Sequence, residues 1–362
     1  MFNLHRPIIS ASATRYLLVT VLSFAATVVV TRVYLELTGY PQIGNDTFHI
    51  AHALWGGLFL IVAVLLMLVF ANRWTYDVSA IVAGVGVGLF IDEVGKFITQ
   101  QNDYFFPLAA PIIYVAFLLM LLIYLMVRRR QTSADLVANM YQIIRELEEV
   151  LEDDLSVSER DAMLAQIEPI TQQTDRPDVA ELAKHIHAFL HTDAVTVVPD
   201  QHSVFTNLIE RFQKLENRLF SQGRTRMLLT LVFLLNGLST LFVLFTLFSA
   251  LATGSFTFPT ILGDIVVDEV HVTGTTSLNW FVAMIALQII TGLLLFFSAV
   301  TFLRKHDKTA VRIGEWALVI SIVFINPLSF YFNQFSILLN SVYLFLILIT
   351  LQRYRFRFLR DD

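Results

Sequence analysis

Seven ionisable side chains lie close to or inside apolar runs in the first hundred residues: Arg32, Glu36, His49, His52, Asp92, Glu93 and Lys96. Three of them fall within five residues in "GVGVGLFIDEVGKFITQQNDYFF", Gly84 to Phe106, before the apolar run has ended. A charge at mid-membrane costs about 2.5–3.5 kcal/mol on insertion scales, so several together mark a functional site by default. Two kinds of chemistry fit these residue types. His49 and His52, spaced i, i+3, with Asp92 as a carboxylate ligand, suit zinc or a comparable divalent metal. A metal-activated water could then attack a lipid or peptide, with Glu93 as the catalytic general base. Alternatively Arg32, Glu36, Asp92, Glu93 and Lys96, joined by Asn102, Asp103 and Tyr104 of "NDYFFP", form a site for an ion or small polar solute, or a proton relay. The bland reading is a buried ion-pair network that pins helices together, because structural networks also gather such groups.

These side chains need elements to hold them. The chain has 362 residues, of which 56% are hydrophobic and 15% charged, and its mean hydropathy is +0.65. Soluble domains average about 25% charged, so this composition reads as a polytopic membrane protein. Cysteine is absent and the net charge is −5. The first fact removes thiolate chemistry, and the second argues against nucleic acid as a partner. A spanning helix needs about 20 mostly apolar residues. Eight segments qualify: Tyr16–Leu37, Phe48–Ala71, Ser79–Gln100, Pro107–Val127, Met227–Leu251, Leu278–Leu303, Ile313–Tyr331 and Phe335–Leu351. The first is of full span length with no small-residue cleavage site after it, so it reads as a span rather than a leader. Loops 38–47, 101–106, 252–277 and 332–334 contain no Lys or Arg, whereas the opposite connections and both tails are rich in them. Both termini are therefore expected in the cytoplasm.

With that orientation, Arg32 lies about 24 Å and Asp92 about 20 Å along outward-running helices, at 1.5 Å per residue. His49 and His52 open an inward-running one. The charged residues thus share the outer half of the membrane. Polar candidates deeper in are few, Asn236, Gln288 and Glu315 among them, which favours a site facing the outer phase over a through-pathway. Gly84, Gly88, Asp92 and Lys96 repeat every four residues. The glycines predict close helix approach, and the spacing predicts an Asp92–Lys96 pair on the same face. Glu93 points about 100° away, with Arg32 as its expected partner.

Three regions follow: a first four-helix unit over 1–130 carrying the polar site, an acidic helical cytoplasmic domain over 131–224, and a second four-helix unit over 225–362. The middle region holds 17 acidic residues against 8 Lys and Arg, so it is not a basic membrane-binding patch. Met140, Ile143, Leu147 and Val150 follow 3-4-3 spacing, a candidate homodimer seam within 131–155 but too short for a coiled coil. "SVSERDAML" offers a serine cap with an acidic residue three positions on. A cytoplasmic partner for this region is a further expectation. "FIDEVGKF" and "FINPLSFY", each followed by a Tyr-containing span and a basic end, suggest a parallel duplication of the four-helix unit. It would place Asp92 opposite Asn326 and Tyr114 opposite Tyr343. Pro327 is expected to kink the seventh span.

"HIAHALWGG", "GVGVGLFIDEVGKFIT" and "NDYFFPLAAPIIY", in this order and spacing, resemble a widespread group of uncharacterised bacterial integral membrane proteins over roughly residues 30–125. The resemblance implies a bacterial plasma (inner) membrane location and brings no activity. The repeated histidine clusters of ceramidase-like hydrolases and of membrane hydroxylases are missing. Taken together, the expectation is an all-α integral membrane protein with eight transmembrane helices and a helical insertion. It binds or moves a cation or small polar solute, with a metal-dependent enzyme and a sensor as the alternatives.

Overall fold

The structure is a computed structural model that describes residues 8–10, 12–39, 51–104, 106–130, 136–151, 153–174, 176–192, 194–199, 221–252, 274–332 and 336–359. Lipid offers no partners to backbone N–H and C=O groups, and helices satisfy them internally. The chain is accordingly an all-α integral membrane protein, with eight helices among the described residues long and apolar enough to cross a membrane. Among the described residues there is no strand, only an isolated bridge between Ser156 and Val198. The elements in order are α1 (Ala13–Thr38), α2 (His52–Val69), α3 (Arg73–Asp92), α4 (Val94–Ile98), α5 (Ala109–Arg130), α6 (Leu136–Glu146), α7 (Glu148–Leu151), α8 (Val157–Gln173) and α9 (Pro177–Leu190). After these come α10 (Gln222–Ala252), α11 (Gly274–Leu303), α12 (Asp307–Ile320), a π-helical turn (Ser321–Ile325), α13 (Asn326–Phe332) and α14 (Ser336–Phe358). The chain forms two compact units, Met1–Glu93 with Phe117–Ile209, and Val94–Ala116 with Glu210–Asp362. This grouping differs from cuts at 130 and 224. The helical insertion belongs with the first spans, and the chain changes unit directly after Glu93.

In the first unit α3 is the shared element, packed on α1 along one side and on α2 along another. Glycine permits both approaches. A Cβ on Gly84 would lie 2.5 Å from the Thr20 carbonyl oxygen of α1, and one on Gly56 of α2 would lie 2.6 Å from the Phe90 nitrogen of α3. Ser79 adds a hydrogen bond from Oγ to the Ala63 carbonyl (3.1 Å). α3 begins at Arg73, six residues before its apolar core at Ser79. Its charged first turns stay helical where Arg15 of α1 donates to Asp77 (2.8 Å). Near the same end Tyr16 stacks on Tyr76 with ring centroids 5.9 Å apart.

α6 to α9 make a small helical domain with a core of its own, built on Ile143, Leu155, Ile167, Ile170 and Ala183. The 3-4-3 stripe is spent here: Met140 and Ile143 are buried, and Leu147 and Val150 pack against them. It closes an intramolecular core. The expected cap is formed by Ser156, whose Oγ accepts from the Glu159 N–H while the Glu159 carboxylate accepts from the Ser156 N–H. That reciprocal pair satisfies two donors which the first turn leaves open. Arg145 of α6 joins this domain to the spans, donating to Ser10 Oγ (3.1 Å) and lying 4.3 Å above the Tyr76 ring. Residues 131–135, between α5 and α6, lie outside the described residues.

In the second unit the seventh span is broken in a particular way. The Asn326 N–H reaches back five residues to the Ser321 carbonyl, the π pattern. The Ile322 carbonyl would take an α bond from Asn326 or a π bond from position 327. The first N–H is committed elsewhere, and the second does not exist because residue 327 is proline. Tyr114 of α5 supplies the missing donor, its hydroxyl 3.1 Å from the Ile322 oxygen. The kink expected at Pro327 is therefore a one-residue π-turn just before it.

Candidate functional site

Arg32, His52, Asp92 and Glu93 come together where the C-terminal part of α1, the start of α2 and the end of α3 meet. Arg32 is the twentieth residue of α1, about 29 Å along it at 1.5 Å per residue. The long first helix is what carries a cation to this end of the bundle. Asp92 and Glu93 are both 0% exposed and Arg32 is 4% exposed. Arg32 Nε donates to Asp92 Oδ1 at 2.7 Å. His52 Nε2 lies 3.2 Å from Asp92 Oδ2, a hydrogen bond whose direction depends on the tautomer. Its other ring nitrogen, Nδ1, lies 3.7 Å from Glu93 Oε2. The His52 side chain is 22% exposed, so the imidazole is the part of the cluster that reaches outward.

The break in α3 follows from what Glu93 does. Residue 51, which precedes α2, is alanine and has no side-chain oxygen to cap the helix. Glu93 supplies one from another helix: its Oε2 accepts from the Ala53 N–H at 2.8 Å. A carboxylate on first-turn N–H groups also faces the positive end of the helix dipole. To reach it, Glu93 leaves helical geometry, with φ −93° and ψ 10°, and α4 starts afresh at Val94. The four-residue repeat from Gly84 to Lys96 therefore does not run along one helix. Arg32 pairs with Asp92, where the spacing had suggested Glu93, and Glu93 serves α2.

Glu36 is exposed near the end of α1, where its carbonyl accepts from Gly39 N–H in the helix cap. Lys96, Asn102, Asp103 and Tyr104 belong to the second unit. Lys96 lies over the Tyr104 ring, 5.6 Å from its centroid. Asn102 turns the chain at φ 52°, in the left-handed region that asparagine tolerates. Asp103 N–H donates to Thr99 Oγ1 at 2.8 Å. His49 lies outside the described residues, as does the long loop 253–273. Among the described residues no three His, Asp or Glu are disposed to hold a metal ion. Asp92 Oδ1 is engaged by the Arg32 guanidinium, and its Oδ2 faces His52.

A second buried polar cluster surrounds Asn326, itself 0% exposed. Its amide nitrogen donates to Tyr114 Oη (3.1 Å) and Ser341 Oγ (3.0 Å). Its Oδ1 meets no donor among the described residues. Tyr343, the proposed counterpart of Tyr114, accepts from the Asn236 amide at 3.0 Å. Sequence reasoning singled out Asn326 and Tyr114 but missed that they touch; the signal was the missing N–H of Pro327, which left a carbonyl in need of a donor. Comparisons with protein-family models, with curated proteins and with solved structures find no match for this chain.

Proposed function

We propose that the protein binds a cation, a proton in its simplest form, at His52 between Asp92 and Glu93, on the outer side of a bacterial plasma membrane. One observation carries the reading: a partly exposed imidazole has one ring nitrogen toward each of two fully buried carboxylates. Arg32 offsets one of those negative charges. With His52 neutral the four side chains sum to a formal charge of −1, and a proton on His52 brings the sum to zero. Burial raises the stake, because charge pairs interact more strongly where water is excluded. Binding is favoured over passage because the polar groups deeper between α2 and α3, such as Ser79, are already hydrogen-bonded to backbone. The outward assignment rests on Lys and Arg. Arg15, Arg73 and Arg128–Arg130 cluster at the other ends of the first four spans, and both termini are then cytoplasmic. The resemblance over residues 30–125 supports the bacterial inner membrane.

A second reading, a sensor, is favoured by Arg145. It ties the helical domain to Ser10 and Tyr76, next to α1 and in α3, the helices that hold Arg32 and Asp92. The test of the first reading is nitrogen-15 NMR of histidine-labelled protein in nanodiscs across pH, beside His52→Asn, with proton flux measured in liposomes. A resonance lost in His52→Asn whose titration shifts in Glu93→Gln is the expected result. A His52 signal indifferent to both carboxylates would sink the site, and flux abolished by His52→Asn would replace binding with transport. Hydrogen exchange in α6–α9 that follows pH in the wild type but not in His52→Asn would establish sensing.

A further inference from the structure

The charges of the last four spans, α10 to α14, are all at one end. No Lys, Arg, Asp or Glu occurs in 227–252, 274–303, 316–332 or 336–352. At the start of α10, around the α11–α12 turn and at the end of α14 stand Arg224, Arg226, Arg304, Lys305, Lys308, Arg312, Arg353, Arg355 and Arg357. Against these nine cations the same described segments hold two acids, Asp307 and Glu315, a formal excess of seven. The terminal Arg360, Asp361 and Asp362 lower it to six. The three helix ends are fastened together by Asp307, which accepts from Tyr354 Oη of α14 at 2.5 Å and lies 3.9 Å from Arg226 of α10. Arg355 donates to Glu315 at 3.0 Å. Both acids are thus engaged from within, and the other cations face outward. Trp316 and Phe356, 64% and 67% exposed, stand beside them as amphipathic surface of the kind that settles at a headgroup layer.

The α11–α12 turn adds an independent sign. His306 N–H bonds to the Thr301 carbonyl and Lys305 N–H to the Phe302 carbonyl, each at 3.0 Å, the paired closure of a helix C-terminus. That closure needs a left-handed residue, which glycine adopts without strain. Lys305 occupies it instead, at φ 62°, with its side chain exposed. A strained lysine where glycine would be easier suggests that its ammonium has a use.

We infer that this end of the second unit is a docking surface for the headgroups of anionic phospholipid. The chemistry matches: exposed cations and an aromatic fringe border helices whose outer surfaces are apolar, so phosphate meets cation while the acyl chains lie along the helices. The inference stands apart from the His52 site. The full-length protein is purified in neutral detergent and supplied with phosphatidylglycerol, phosphatidylcholine or inorganic phosphate. Retained lipid is counted by native mass spectrometry, and the thermal unfolding midpoint is followed. Phosphatidylglycerol alone is expected to be retained and to raise the midpoint, with the gain shrinking as salt is added. The triple variant Arg353→Gln/Arg355→Gln/Arg357→Gln should hold about tenfold less, the order expected when several surface cations are removed. Lys305→Gly guards against misfolding: its midpoint without lipid should match or exceed wild type, while its lipid-dependent gain falls. Equal retention of both lipids, an equal response to inorganic phosphate, or undiminished phosphatidylglycerol retention in the variants would overturn the inference.

Discussion

Two of the buried polar clusters among the described residues, around Asp92 and around Asn326, solve the same problem in opposite ways. Around Asp92 the groups are charged, drawn from three helices, and one of them, His52, is partly exposed. Around Asn326 the groups are neutral, each hydroxyl or amide proton has a stated acceptor, and the centre is fully buried. A neutral cluster fixes helix positions without changing with conditions. A charged cluster with an exposed member can take up or release a proton, at the risk of leaving a buried charge uncompensated. The contrast sets a cluster of fixed, neutral hydrogen bonds against one built from charge.

The contrast breaks most severely at Asp92. Asp92→Asn keeps the shape but removes the carboxylate to which Arg32 Nε donates, and removing one partner of a buried pair costs about 3–5 kcal/mol. Denaturant unfolding in detergent should show that loss, and Asp92→Asn/Arg32→Gln should recover part of it. The reciprocal exchange comes next. Asn326→Asp puts a carboxylate among Tyr114, Ser341 and apolar neighbours, with no cation among its observed partners, for about 2.5–3.5 kcal/mol. If it is tolerated at neutral pH, the second cluster is less sealed than described. Tyr114→Phe is milder: the Ile322 carbonyl loses its donor, and denaturant unfolding should show a cost of about 1–3 kcal/mol. The control is Arg176–Asp178, an exposed pair at the start of α9 whose partners hydrogen-bond directly. Arg176 holds the Asp178 carboxyl below its usual range. Any contribution is therefore complete above the ordinary Asp value of about 3.9 and lost as pH falls through the lower folded value. Solvent screens the pair, so Arg176→Ala should leave the unfolding midpoint at pH 7 unchanged.

Much of this was legible in the sequence, and what was hidden has physical reasons. Eight apolar runs of span length gave eight spans, because the bilayer imposes length and hydropathy directly. The Ser156–Glu159 cap was legible because its partners are three residues apart. The charges at 92 and 93 announced a site, but their partners did not follow from spacing. No proline or glycine stands at 93 to end a helix, and the break comes from a distant alanine that cannot cap α2. The start of the seventh span at Asp307, ahead of its apolar run at Ile313, depends on Tyr354, forty-seven residues on. Lys96 was placed with Asp92 on the assumption of an unbroken helix, and that assumption failed at Glu93.

The π-turn at Ser321–Ile325 also makes the seventh span a matter of counting. An α-helix turns about 100° per residue, and the π-turn absorbs one residue beyond what the α pattern would hold. Straightening the turn into regular α-helix with all five residues kept would swing Asn326 by about that angle, away from Tyr114 and Ser341, whereas deleting one of the five would let the α pattern run through with Asn326 still facing them. No substitution is needed for such damage, since every side chain could keep its chemistry and still face the wrong neighbour. At this point of the chain the number of residues carries as much instruction as their identity.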